Sequence, residues 1–247
     1  MSEYIISLAD IHIGISDLYP STKTFFKDYL SEKTPEFYVT TSIEDIETER
    51  ELSKLQNERE GLPVQNYSDA YLETLAIHRK ISTKMIDYDV VLLHGSAVAL
   101  NGKAYIFTAM SGTGKTTHTR LWLNLFPDAY VLNGDKPFLR YKDGKTYACG
   151  SPWQGKEHYG TNEILPLEAI CILERDKENS ITPISFNNAI KTLLQQMHRP
   201  DGADGLIRAL KICEKIGNSV KLYNLKCNME PEAALVSRKA MLGVSNE

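Results

Sequence analysis

Residues 109–117 read Ala-Met-Ser-Gly-Thr-Gly-Lys-Thr-Thr. The first eight match the phosphate-binding loop pattern G-x-x-x-x-G-K-[ST] at every position except the first, where Ala109 stands in place of glycine. Gly112 and Gly114 permit the unusual backbone dihedrals of such a loop, and they let its amide groups approach an anion closely. The pattern therefore predicts a loop that holds phosphate groups.

The end of this loop carries the side chains that a nucleoside triphosphate requires. The Lys115 ammonium is expected to reach the β- and γ-phosphates, and the Thr116 hydroxyl to complete the coordination of Mg²⁺. We therefore expect ATP and Mg²⁺ as ligands. The predicted nucleotide-binding residues are Ser111, Gly112, Thr113, Gly114, Lys115, Thr116 and Thr117.

The segments on either side of the loop have the pattern that its mechanism requires. Ala104–Ala109 predicts an apolar strand, and Thr116–Phe126 predicts an amphipathic helix whose positive end faces the loop. The alternative is a glycine-rich turn that happens to end in Lys-Thr, which would not require this strand and helix. The side chains predicted to be buried on the helix are Leu121, Trp122, Leu125 and Phe126.

An acidic residue follows the next apolar segment. Tyr130–Leu132 predicts a short strand, and Asp135 comes twenty residues after Lys115. A carboxylate at this place binds Mg²⁺ directly or through water, and it accepts the proton of an attacking hydroxyl. The alternative is an ordinary aspartate in a turn after Gly134.

A histidine precedes the hairpin that leads into the loop. His94 follows the apolar segment Val90–Leu93, so it is a candidate to contact the phosphates or to orient Asp135. The alternative is a structural histidine with its polar atoms satisfied. We assign the predicted catalytic roles to Asp135, Lys115 and His94, and a metal role to Asp135 together with Thr116.

Two further segments carry candidate substrate contacts. Gly150–His158 is a loop crowded with hydrogen-bonding groups, in which Trp153 is a candidate contact, Lys156 a phosphate ligand and Glu157 a metal ligand. A plain surface loop is the alternative. Arg199, after a predicted helix, would supply charge to a transition state or cap the helix carbonyls.

Composition excludes several classes of protein. The 247 residues are 42% hydrophobic and 24% charged, which is typical of a chain that buries a core, and the net charge of −4 disfavours sequence-independent binding of nucleic acid. The four cysteines form no CxxC pair. Met1-Ser2-Glu3 does not begin a signal peptide and no apolar run reaches 18 residues, so we expect a cytoplasmic protein without a membrane span. The sequence does not decide whether the protein forms a homo-oligomer.

The remaining chain alternates between strand and helix patterns. The predicted strands include Tyr4–Ile15, Glu36–Thr41, Ala97–Leu100, Phe138–Tyr141, Lys145–Ala148, Leu167–Leu173 and Val220–Leu225. The predicted helices include Ser21–Leu30, one that opens at Ser42 and continues to Glu60, one from Ser68 to about Tyr88, Phe186–His198 and Pro231–Met241. A change of pattern near Gly61–Asn66 predicts an N-terminal αβ portion, residues 1–66, and a core domain, residues 67–247.

The segment from about Val90 to Arg175 resembles the superfamily of HPr kinase/phosphorylase and phosphoenolpyruvate carboxykinase. The resemblance lies in LLHGSAVALNGKAYIFTAMSGTGKTTHTRLW, residues 92–122, and VLNGDK, residues 131–136. It implies phosphate binding by Gly112–Lys115, Mg²⁺ on Thr116, a metal or general-base role for Asp135, and His94 near the reacting phosphate. Both families carry two consecutive acids where this chain has Asp135-Lys136. The compact stand-alone kinases similar to HPr kinase are the closest match, and some of these phosphorylate a serine of a precursor peptide.

These observations predict an α/β fold with a P-loop nucleotide-binding core of the carboxykinase/HPr kinase type and a small N-terminal αβ portion. We expect a kinase that transfers the γ-phosphoryl group of ATP to a hydroxyl, with serine the expected group, of a peptide or small molecule. One alternative is a carboxykinase-like enzyme acting on a small carboxylic acid. Another is a regulatory module that binds ATP without catalysis.

Overall fold

The computed structural model describes residues 2–61, 63, 65–200 and 202–243. Its contacts divide the chain into two compact units, Met1–Lys84 and Met85–Glu247. None of the helices in the described ranges combines the length and the apolar character needed to cross a membrane.

The first unit contains a four-stranded sheet with the order β3-β1-β2-β4. Its strands are β1 (Ser2–Leu8), β2 (Ile11–Asp17), β3 (Leu30–Ser31) and β4 (Phe37–Thr40). β1 and β2 form an antiparallel hairpin, so the single strand predicted over Tyr4–Ile15 is two strands. The reason is a tight turn at Ala9 and Asp10, which both have positive φ angles of 51° and 58°.

The described part of this unit also contains the α-helices α1 (Pro20–Phe25), α2 (Ile43–Glu60) and α3 (Asp69–Lys84), with a 3₁₀ turn over Lys27–Tyr29. The helix predicted at Ser42 begins with the expected capping box, in which the side chains of Ser42 and Asp45 each accept a hydrogen bond from the other residue's backbone amide. The buried carboxylate of Glu73 on α3 accepts hydrogen bonds from the backbone amide of Leu18 and from the hydroxyls of Thr22 and Thr41. These contacts tie α3 to the strands and to α1.

The contacts separate the two compact units between Lys84 and Met85. The sequence-based division at residues 66 and 67 stays a prediction about domains, and Leu62 and Val64, which lie beside it, are outside the described residues. Contacts place α3 with the first unit because this helix packs against α1, α2 and β4.

The second unit is built on a mixed sheet with helices on both faces. The described strands are β5 (Val90–Leu92), β6 (Ser96–Leu100), β7 (Lys103–Thr108), β8 (Tyr130–Asn133), β9 (Phe138–Lys142), β10 (Lys145–Cys149), β11 (Ile164–Arg175), β12 (Ser180–Pro183) and β13 (Lys221–Cys227). The helices are α4 (Lys115–Leu125), α5 (Phe186–Gln196), α6 (Ala203–Ser219) and α7 (Pro231–Leu242). β7 lies inside the sheet, parallel to β11 and antiparallel to β6.

Alternate residues of β7 point into two separate cores. Ala104 and Ile106 face a cluster that includes residues of α5 and α6, whereas Tyr105 and Phe107 face a cluster that includes Trp122 of α4 and residues of α7. Trp122 is fully buried, and its ring lies 5.2 Å from that of Phe107. These layers confirm the mixed α/β class and hold the N-terminus of α4 at the end of β7.

The structure contains one long helix that the sequence reading omitted. α6 buries residues at helical spacing, namely Gly205, Ala209, Ile212, Cys213, Ile216 and Gly217. Other predicted elements differ mainly at their ends. The helix predicted to reach Tyr88 ends at Lys84 and continues as a 3₁₀ turn over Met85–Tyr88, and Leu125, predicted as buried, is 36% exposed. None of the four cysteines forms a disulfide, and Cys171 lies in the core.

Candidate functional site

The glycine-containing loop joins β7 directly to α4. The backbone amide of Thr113 donates to the carbonyl of Met110 at 3.2 Å, which closes a turn within the loop. Gly112 and Gly114 have φ angles of +76° and +121°, where side chains are strained, although a Cβ atom at either position would meet no neighbour within 4 Å. Glycine is therefore required here for backbone conformation and not for space.

The first residue of α4 is Lys115, which the structure places beside the start of the loop. Its Nζ donates to the backbone carbonyl of Ala109 at 3.1 Å. Burial lowers the pKa of the Lys115 ammonium below its ordinary value, and the nearby negative charge of Asp135 opposes this shift. The first turn of α4 contains no acidic residue, so none of its own side chains offsets the positive end of the helix dipole.

Asp135 and His94 are in direct contact. Nε2 of His94 lies 3.1 Å from Oδ1 of Asp135, and Nζ of Lys136 lies 3.9 Å from Oδ2. Burial alone would raise the pKa of the Asp135 carboxyl. The hydrogen bond from His94 and the positive charges of Lys136 and Lys115 outweigh burial, so this pKa lies below its ordinary value. Asp135 is therefore an ionised carboxylate near neutral pH.

A buried asparagine fixes the backbone that carries Asp135. Oδ1 of Asn133 accepts hydrogen bonds from the amides of Asp135, at 2.9 Å, and of Lys136, at 2.6 Å. Its Nδ2 donates to the backbone carbonyl and the hydroxyl of Ser151, at 3.0 and 2.9 Å. Both ends of the amide are thus used, which sets the direction in which the chain leaves β8.

Both backbone groups of His94 are hydrogen-bonded to other parts of the chain. The amide of His94 donates to the carbonyl of Gln196 at 2.7 Å, and its carbonyl accepts from the hydroxyl of Thr108 at 2.8 Å. The amide of Gly95 donates to the carbonyl of Asp135 at 2.9 Å. A Cβ atom on Gly95 would come within 3.0 Å of the Phe107 carbonyl, so glycine allows this close approach to β7.

The loop over residues 150–160 contributes backbone to the site and exposes its charged side chains. Trp153 is buried, and a Cβ atom on Gly155 would lie only 3.0 Å from Cβ of Asp135. Lys156 and Glu157 are exposed, and the Glu157 carboxylate pairs with Arg120 of α4 at 2.7 Å. The predicted substrate roles of Trp153, Lys156 and Glu157 stay predictions.

The remaining candidates are Arg199, Ser111, Thr116 and Thr117, whose side chains are exposed or partly buried. Nε of Arg199 donates to the backbone carbonyl of Leu194 at 3.4 Å, near the end of α5, which corresponds to the helix-capping alternative. Ser111 and Thr116 are exposed, and Thr117 is partly buried. Their predicted roles in nucleotide and metal binding stay predictions.

The residues around the loop fit a magnesium–nucleotide ligand. Mg²⁺ prefers oxygen ligands and commonly takes one or two carboxylates together with phosphate oxygens. Asp135 supplies an ionised carboxylate and Thr116 an exposed hydroxyl at the first turn of α4. Within the described ranges, no group of three or more His, Cys, Asp or Glu residues is arranged to hold a metal by itself.

Two residues that contribute to this site, Asn133 and Arg175, were not predicted from the sequence. Asn133 stands two residues before Asp135, a spacing typical of a side chain that accepts hydrogen bonds from the following backbone amides, so a signal was present. Arg175, at the end of β11, donates from its guanidinium to the carbonyls of Gly112 and Thr113. No local pattern indicates this second contact, because it depends on the pairing of distant strands.

The fold and the site define a mixed α/β protein in which a glycine-containing loop links a central strand to a helix beside a histidine–aspartate pair. No protein-family model matches the chain. No curated protein matches it either. Among solved structures, it is similar to the Hpr(Ser) kinase/phosphatase from Coxiella burnetii with a TM-score of 0.37 and 7% sequence identity, over 62% of this chain and 97% of that chain. The functional interpretation therefore rests on the residues of this chain.

Proposed function

We propose that this protein binds ATP with Mg²⁺ and transfers the γ-phosphoryl group to a hydroxyl of a peptide or small molecule. One observation carries the proposal. Nζ of Lys115, the first residue of α4, donates to the carbonyl of Ala109 at the start of the loop at 3.1 Å, and its positive charge acts on the carboxylate of Asp135, which contacts His94 at 3.1 Å. A phosphate-neutralising cation and a carboxylate for metal and acceptor therefore lie together at the glycine-containing loop.

The loop and Lys115 bind the phosphates in this proposal. The backbone amides and the positive end of α4 offset the negative charge of the phosphate tail, and Lys115 neutralises the charge that develops on the transferred group. Because burial reduces the hydration of the Lys115 ammonium, which lowers its pKa, this ammonium gains more from a phosphate partner than that of an exposed lysine.

Asp135 has two roles in this proposal, as a metal ligand and as the base that receives the proton of the acceptor hydroxyl. Asp135 and Thr116 would hold Mg²⁺, which would supply positive charge next to the group in transfer. The ionised carboxylate of Asp135 is a suitable metal ligand and also accepts a hydrogen bond from an approaching hydroxyl, whose proton it receives as transfer proceeds. His94, 3.1 Å away, holds that carboxylate in place.

Lys136 favours a polyanionic ligand at this position. Its ammonium lies 3.9 Å from Asp135, so the carboxylate faces Lys136, His94 and the charge of Lys115. A cation here repels a second divalent metal and attracts a phosphate group. The same contact supports the second candidate, an ATP-binding module without catalysis, in which Asp135 is fully occupied by His94 and Lys136.

Phosphoryl transfer from labelled ATP separates these candidates. The protein is incubated with Mg²⁺, ATP labelled in the γ-phosphate, and a panel of serine-containing peptides and small alcohols. We expect Asp135→Asn to lower the rate of transfer by at least about 100-fold, the loss typical of a missing acid–base group. Asp143→Asn is the matched control, since it removes an equal charge in the β9–β10 turn.

Two results bear on the choice between the candidates. Transfer by Asp135→Asn at the wild-type rate contradicts the assigned role of the carboxylate. Binding of ATP by the wild-type protein without transfer to any acceptor favours the non-catalytic module. A cytoplasmic location, the absence of nucleic-acid and membrane partners, and the oligomeric state stay predictions.

A further inference from the structure

Arg175 lies beside the glycine-containing loop although it is distant in sequence. It is the last residue of β11, which runs parallel to β7 with Ile172 paired to Thr108. Because the strands are parallel and in register, Arg175 lies level with the loop that follows β7. Its Nε donates to the carbonyl of Thr113 at 3.3 Å, and its Nη2 donates to the carbonyl of Gly112.

Holding these two carbonyls also fixes two amides. The carbonyl of Gly112 shares a planar trans peptide unit with the amide of Thr113, and the carbonyl of Thr113 shares one with the amide of Gly114. In each unit the N–H points away from the C=O. The amides of Thr113 and Gly114 are therefore directed away from Arg175, and Thr113 donates within the loop to Met110.

We propose that Arg175 is a positioning residue that holds the peptide units of Gly112 and Thr113, so that the turn to Met110 is kept and the amide of Gly114 is directed to receive phosphate. This inference deepens the proposed function and rests on it. Glycine-containing loops lose much conformational freedom when they are ordered, so a contact that orders the loop beforehand strengthens ligand binding. The planar guanidinium presents donors in a fixed fork, which suits two neighbouring carbonyls, whereas the single ammonium of lysine does not.

A simpler effect of Arg175 must be separated from positioning. The guanidinium also adds one positive charge at the rim of the loop, and that charge alone attracts phosphate. Lys177 offers a matched control because it is exposed and stands two residues further along the chain. Lys177→Ala removes one positive charge without removing a donor to the loop carbonyls, and Arg175→Lys keeps the charge but loses the fork.

The experiment measures MgATP affinity by calorimetry and loop geometry by amide chemical shifts of residues 110–114, using the full chain without nucleotide for the shifts. We expect Arg175→Ala to weaken MgATP binding by about tenfold or more, the loss typical of charge-assisted hydrogen bonds that order a site. Arg175→Lys recovers little of this loss, and Lys177→Ala binds like wild type. The amide shifts of Thr113 and Gly114 change in both Arg175 variants and not in Lys177→Ala.

Several outcomes overturn the inference. Wild-type affinity in Arg175→Ala contradicts it, because Arg175 then has no effect on binding. Full recovery in Arg175→Lys, or an equal loss in Lys177→Ala, also contradicts it, because either result assigns the effect to positive charge alone. If Arg175→Ala does not fold, Arg175→Lys decides alone. If the wild-type protein binds no nucleotide, the proposed function fails, while the amide shifts still show whether Arg175 orients the loop.

Discussion

At the scale of single residues, His118 is a titratable group enclosed in the core of the second unit. Its side chain is 3% exposed, its ring lies edge-on to Phe107 at 4.6 Å, and its Nε2 is 3.0 Å from the hydroxyl of Ser237. Burial lowers the pKa of His118 from its ordinary value of 6.5 to about 4. The folded protein therefore resists protonation at a pH where the unfolded chain accepts a proton.

This difference predicts a pH dependence of stability. Above pH 6.5 the imidazole of His118 is neutral in both the folded and the unfolded state, so it contributes nothing to the pH dependence of stability. As the pH falls from 6.5 towards 4, the unfolded chain binds a proton that the folded protein does not, so the free energy of unfolding decreases by about 3 kcal/mol in total. Urea unfolding at several pH values measures the effect.

His118→Gln is the matched variant because its amide keeps a donor near Nε2 that reaches Ser237. Between pH 6.5 and 4, the free energy of unfolding is expected to decrease less in this variant than in the wild-type protein, by the contribution of the His118 imidazole. This expectation holds whatever the stability of the variant at neutral pH. Parallel stability curves for the wild-type protein and His118→Gln would show that the imidazole is protonated equally in both states.

The positions of single residues were predictable from sequence where they follow from a local pattern. Lys115 and Asp135 were singled out because the loop motif and the strand after it place them at fixed offsets along the chain, and their roles stay predictions. Arg175 was not, since its contacts with Gly112 and Thr113 require the register of β11 on β7, more than sixty residues apart in the chain. The lowered pKa of Asp135 likewise depends in part on His94 and Lys115, which only folding brings near this carboxyl.

At the scale of elements, the loop between β7 and α4 offers a clean comparison of backbone strain. Gly112 and Gly144 have φ angles of +76° and +78°, and a Cβ atom at either would meet no neighbour within 4 Å. Alanine at either position is expected to cost a similar amount, about 1 kcal/mol, because both must adopt the left-handed conformation. Only Gly112 belongs to the proposed phosphate site.

We therefore predict that Gly112→Ala and Gly144→Ala lower the melting temperature alike but differ in ligand binding. Gly112→Ala distorts the loop and weakens MgATP binding, whereas Gly144→Ala, in the β9–β10 turn, binds MgATP like wild type. Thermal unfolding and calorimetry on the two variants provide the comparison. Equal affinities in the two variants would remove the loop from the binding site.

Elements were predictable where turn chemistry marks their ends. Asn101-Gly102 and Asp143-Gly144 are dipeptides typical of two-residue hairpin turns, and all four residues have the positive φ angles of such turns. The β1–β2 turn was missed because Ala9 rarely adopts a positive φ, and the alternating isoleucines continue the strand pattern past it. α6 was missed although its buried residues recur at helical spacing.

At the scale of the whole molecule, the proposed site belongs to one compact unit. Every predicted site residue, together with Asn133 and Arg175, lies within Met85–Glu247. A fragment of residues 85–247 is therefore expected to fold and to bind MgATP with the affinity of the full chain. Calorimetry on the fragment checks this, with circular dichroism to establish that it is folded; a folded fragment that fails to bind would mean that residues 1–84 contribute to the site.

The central claim is that the loop over residues 111–117 binds the phosphates of ATP with help from Lys115. Calorimetric titration of the full chain with ATP in the presence of Mg²⁺, using wild type, Lys115→Ala and the control Lys177→Ala, tests it most directly. The account predicts binding by wild type and by Lys177→Ala, with at least about a tenfold loss in folded Lys115→Ala, because a charge-assisted contact with phosphate is removed. No binding by the wild-type protein, or equal affinity in all three, would contradict it.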